Sequence, residues 1–208
     1  MATLARQTQL IPVAELAPGA VAAIRNNIIE QVVSIAASEL GRPVTDLVVR
    51  DLRPYTDLKW GTNTDAVQAA LTTDTWICQS DDAKNYNAFC NAISDSSSAN
   101  VMADSRWVAI YGIKDLRMCL ATAIARALTF LRINVGGNDR VIWDLSVIQS
   151  YPEAMAAICP SAVLIPQNVE YMIDFYGGLS NDGSSTDVNS YIMVEGVVVE
   201  PKGKVLSP

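Results

Sequence analysis

From residue 105 onward the chain breaks into short β-branched and aromatic runs separated by turn residues, a rhythm that few architectures accommodate. RWVAIYGI stops at a glycine, ALTFLRINV and RVIWDLSVI flank Gly136-Gly137-Asn138-Asp139, and AVLIP precedes NVEYMIDFYGG. YIMVEGVVVEP then leads to a turn at Lys202-Gly203-Lys204. In NVEYMIDFY, Val169, Tyr171, Ile173 and Phe175 alternate with Glu170, Met172 and Asp174, the period-two pattern of a half-buried strand. Such runs predict a mainly β fold, an antiparallel β-sandwich of jelly-roll type in which two four-stranded sheets face each other. Upstream, VTDLVVRDLRPYTDL reads as a strand entering a turn at Arg53-Pro54. The stretch IKDLRMCLATAIARA, from Ile113, fits a helical stripe or a continuing strand equally well.

INVGGNDRVIWDL looks at first like a phosphate loop. A phosphate loop needs its glycines between a strand and a helix start, so that backbone N–H groups and the helix dipole meet the anion. Here a strand signal follows within four residues, and neither G-x-G-x-x-G nor Gly-Lys-Ser/Thr is present. Glycine with Asn and Asp between two apolar runs predicts a β-hairpin instead.

Residues 17–40 carry the strongest helical pattern. Val21, Ile24, Ile28, Val32 and Ile35 recur at three- and four-residue steps, opposite Arg25, Asn26, Glu30 and Ser34. Pro18 suits the first turn, and Gly41 with Pro43 ends the run. This amphipathic helix either packs on its own domain or acts as an arm on a neighbouring subunit. The expected division is an arm and helix over 1–46 and a β-body over 47–208. A polar insertion interrupts that body at about 79–105.

Composition narrows function. With a net charge of −7, 18 % charged residues and no basic arm, direct nucleic-acid binding is not expected. The chain has no histidine, which removes Ser-His-Asp and Cys-His catalysis and His-ligated metal centres. No apolar stretch is long enough for a transmembrane helix, and the N-terminus lacks the layout of a signal peptide. Cys78, Cys90, Cys119 and Cys159 show no C-x-x-C spacing, and read as reduced thiols of a protein made in a cytoplasm.

A few groups remain as candidate sites. Asp182 and Asp187 lie in the loop SNDGSSTDVN, where oxygen ligands could hold calcium, although the spacing fits no EF-hand. Glu170 and Asp174 share a strand face, as paired carboxylates would, and equally as a solvated row would. Trp60, Trp76, Trp107 and Trp143 could form a sugar-stacking platform or belong to the core. Trp143 reads as core, and Trp60, beside Lys59 and Gly61, as the best surface contact. No cofactor is expected.

The succession RWVAIYGIKDLR, FLRINVGGNDRVIWDLSVIQ, VLIPQNVEYMIDFYG and VEGVVVEPKGKVLSP resembles the single jelly-roll capsid proteins of tailless icosahedral phages with an internal membrane. The likeness spans about the last hundred residues and is one of layout, without a diagnostic motif. It implies a non-enzymatic coat protein of the virion that assembles with its own copies and other capsid proteins. Such a coat lies over a membrane without spanning it. The interface residues expected on this reading are Val21, Ile24, Ile28, Val32, Ile35 and Trp60, along with the segment after Pro201. Removal of residues 1–40 is then expected to leave a folded body that assembles poorly. The alternative is a non-catalytic carbohydrate- or receptor-binding β-sandwich module. An enzyme on the same scaffold would need converging carboxylates or a lysine of shifted pKa in a pocket.

Overall fold

The computed structural model describes residues 9–53, 57–58, 76–77, 101–115, 130–145, 147, 156–176 and 192–205. Nine strands and two α-helices occur among them, with short 3-10 turns at Val13–Glu15 and Val44–Asp46: β1 Ile11–Pro12, α1 Ala20–Leu40, β2 Leu47–Asp51, β3 Trp76–Ile77, β4 Trp107–Asp115, β5 Phe130–Val135, β6 Asn138–Asp144, β7 Ala156–Ile165, β8 Tyr171–Tyr176, β9 Ile192–Pro201 and α2 Lys202–Val205. The strands form two antiparallel sheets, one of five in the order β1-β7-β4-β9-β2 and one of four in the order β3-β8-β5-β6. Apart from the two-residue β1, the pairing is nested: β2 with β9, β3 with β8, β4 with β7, β5 with β6. The fold is thus mainly β, and the larger sheet has one strand more than the sequence suggests.

One core joins the two sheets. Leu131, Ile133, Val135, Val141, Trp143 and Ile173 of the four-stranded sheet pack with Val108, Ile110, Ile113, Ile165, Val194 and Val198 of the five-stranded sheet. The alternation follows the pleat: in β5 the odd positions 131, 133 and 135 are buried, whereas Phe130 is exposed. A second cluster lies on the other face of the larger sheet. There Ile28, Val32, Val33 and Ala36 of α1 pack on Trp107, Ala109, Tyr111, Ile158, Val197 and Val199. β9 is covered on both faces, which explains its almost unbroken apolar run.

The Gly136-Gly137 pair turns a corner. Both glycines have positive φ (62° and 77°), and Val135 pairs with Asn138 across them, the geometry of a two-residue hairpin. Three boundaries differ from the sequence reading. β4 does not stop at Gly112 but continues to Asp115, with a register shift between Ile110 and Gly112. Glycine is required there by crowding, since a Cβ would stand 2.7 Å from the Ala157 carbonyl oxygen. β7 begins at Ala156, well before AVLIP, and runs through Pro160. That proline lies between the paired residues Ile158 and Val163, inside the same irregularity, where a missing N–H interrupts no ladder bond to β4. α1 starts at Ala20, behind a left-handed Gly19, so Pro18 precedes the first turn. Its far end matches expectation. Gly41 is left-handed, Arg42 N–H donates to the Ala37 carbonyl at 3.1 Å, and Gly41 N–H to Ser38 at 3.4 Å, a Schellman cap.

Candidate functional site

The densest polar arrangement among the described residues is a four-membered ion network that the sequence reading did not anticipate. Arg50 on β2 reaches Asp57 with both terminal nitrogens at 2.7 Å, and its Nε donates to Glu200 on β9 at 2.8 Å. Arg106, just before β4, contributes its Nε to the other Glu200 oxygen at 3.1 Å and a terminal nitrogen to Asp57 at 3.5 Å. The carboxylate side chains are only 3–4 % exposed, and these partners offset the cost of burying them. The same carboxylates, Asp57 foremost, raise the Arg50 guanidinium above its ordinary pKa. Asp57 also accepts the Arg53 backbone N–H at 2.7 Å, while its own N–H donates to the Arg53 carbonyl at 2.8 Å.

Two cations face two anions, so the formal charges balance within the network. The network is a clasp that pins the chain leaving β2 onto β9 and β4. A sequence signal for it exists: Glu200 ends an apolar run, VVVEP, in a strand buried on both faces, and a carboxylate there demands a partner.

A groove of about 470 Å³ opens between the β5–β6 hairpin and β7, walled by Val135, Val141, Val163, Leu164 and Val169 with Arg140 on its lining. Its size suits a small molecule. Cys159 also lines it, but the thiol is buried and burial pushes its pKa up, the opposite of what a nucleophilic cysteine needs. No group of three or more His, Cys, Asp or Glu able to hold a metal ion occurs among the described residues. No helix among them is long and apolar enough to cross a membrane.

The residues singled out in the sequence separate into three groups. Ile28 and Val32 are buried against the chain's own sheet, Val21 and Ile24 are partly buried beside them, and Ile35 is 40 % exposed. Trp107 and Trp143 are core residues at 0 % and 1 % exposure, which removes both from any sugar platform. Glu170 is exposed, and it forms an isolated bridge with Val101. Trp60, Asp182, Asp187, Cys78, Cys90 and Cys119 lie outside the described residues, as do the side chains of Trp76 and Asp174 and most of the insertion at 79–105.

No protein-family model matches this chain, and neither a curated protein nor a solved structure does so.

Proposed function

We propose that this chain is a self-assembling capsid protein whose two sheets form a jelly roll. The nested pairing of β2 with β9, β3 with β8, β4 with β7 and β5 with β6 carries the reading. A jelly roll is a long antiparallel double hairpin wrapped into two sheets, and it pairs its first strand with its last in this way. Among jelly rolls, the coat function is favoured over catalysis by two features of the described residues: their densest charge cluster is buried and self-neutralised, and burial raises the pKa of the Cys159 thiol. An acidic chain without a basic arm suits a coat that meets copies of itself and other capsid proteins, close to an internal membrane and away from nucleic acid. On this reading the protein is made in the host cytoplasm, resides in the virion, and performs no catalysis.

The test is molar mass by light scattering across protein concentration and salt. Trimers, pentamers, hexamers or larger particles that grow with concentration are the expected result. A strict monomer in every condition sinks the reading. It would bring forward the binding module, for which the groove beside Arg140 is the site to probe with ligands.

A further inference from the structure

β6 is the end strand of its sheet, with β5 on one side and no described strand on the other. An edge of this kind presents unpaired N–H and C=O groups that invite another strand unless something blunts it. β6 is not blunted by proline or a central lysine. A register shift on its β5 side leaves Arg140 without a partner residue, and beyond it exposure alternates regularly. Arg140, Ile142 and Asp144 face outward, whereas Val141 and Trp143 point into the core. Ile142 is 52 % exposed, large and apolar, in the middle of that edge.

Arg140-Val141-Ile142-Trp143-Asp144 is self-complementary when read against itself in reverse. We propose that a second copy of the chain adds to this edge, β6 against β6, antiparallel across a two-fold axis at Ile142. In that register Arg140 lies opposite Asp144 of the second copy, twice by symmetry, and the two Ile142 side chains meet at the axis. Directly opposed unlike charges and apolar pairs are the interactions that stabilise antiparallel neighbours. The register is selective: an axis at Arg140 sets two arginines against each other, and an axis at Asp144 sets two aspartates. The contact is isologous, and it joins the two four-stranded sheets into one continuous eight-stranded sheet. This inference rests on the self-assembly reading and names the surface that carries it.

The test uses the full chain. Ile142→Cys, under mild oxidation with oxidised glutathione, forms a disulfide-linked dimer, because directly paired positions lie within disulfide reach. Mass spectrometry identifies the peptide in which the two copies are joined through position 142, which separates it from links through native cysteines. Asn138→Cys, on the same strand and exposed, forms no such self-link. In parallel, sedimentation of Arg140→Glu shows a dimer dissociation constant raised about tenfold or more, since two attractive pairs become repulsive. Both altered side chains are exposed, so circular dichroism and the thermal midpoint remain those of the wild type. If the wild type assembles while Arg140→Glu assembles equally well and Ile142→Cys gives no link through position 142, the contact lies elsewhere and the assembly reading survives. If the wild type is monomeric throughout, both fall together.

Discussion

Arg50 and Asp57 meet fork to fork, two nitrogens against two oxygens at 2.7 Å, at the point where the chain leaves β2. Bidentate pairing of this kind fixes geometry as well as charge. Its removal leaves Arg50 and Arg106 sharing the single remaining carboxylate of Glu200. Asp57→Ala therefore lowers unfolding stability by roughly 3 kcal/mol, the scale for breaking one side of a buried pair. The exposed pair between Arg25 and Asp51, 2.6 Å apart, is the control, and Arg25→Ala changes stability by less than about 1 kcal/mol. Urea titration with an unchanged slope measures both.

Tyr111 provides a pH test. Burial, with Glu195 adding to it, raises its phenol pKa from 10.0 to about 12, against an opposing pull from Arg25. The folded state holds the proton more tightly than the unfolded one. Its contribution is complete below pH 10 and is lost as pH rises through about 12. Wild-type stability thus declines steeply across that alkaline window, and Tyr111→Phe flattens the decline. Ultraviolet absorbance of tyrosinate, followed together with unfolding, checks the assignment; a decline unchanged in Tyr111→Phe refutes it.

Gly112 and Gly196 sit where strands approach too closely for a side chain. A Cβ at Gly112 would stand 2.7 Å from the Ala157 carbonyl oxygen, and one at Gly196 would press on the Ala109 carbonyl oxygen. Backbone cannot give way as a flexible side chain can, so Gly112→Ala and Gly196→Ala each cost about 2 kcal/mol or more. Gly203→Ala, with open space around it, leaves the thermal midpoint unchanged.

The helix yields the fourth prediction. Ile28 is 2 % exposed and packs on the sheet, so Ile28→Ala costs about 3 kcal/mol, within the range for cavity-forming core substitutions. Deleting residues 1–40 would uncover Trp107, Ala109, Ile158, Val197 and Val199 together. The sequence suggests that such a truncation leaves a folded body. The packing gives the opposite expectation, an aggregating chain that binds hydrophobic dyes.

Local features are legible in the sequence and distant ones are not. The Gly136-Gly137 hairpin and the Gly41 cap follow from residues within four positions of each other, because turn chemistry is a local matter. The helix face at Ile28 and Val32 is readable from spacing, but its target is not, since the sheet beneath it is assembled from β2, β4, β7 and β9. Gly112 reads as a terminator because a bulge and a turn use the same residue for different reasons. The clasp is out of reach for another reason: Arg50 and Glu200 are 150 residues apart, and only the pairing of β2 with β9 brings them together.

That pairing also dictates when the molecule can take shape. β9 lies inside the larger sheet, between β2 and β4, so these strands cannot be joined until Ile192–Pro201 has been synthesised. Closing so long a loop before its contacts exist is entropically costly, and chains dominated by distant pairings fold slowly. The emerging polypeptide therefore carries β2 unpaired, and β4 with its β9 flank open, until β9 has been made. In a cell that makes many copies at once, premature strand exchange between nascent chains competes directly with the correct fold.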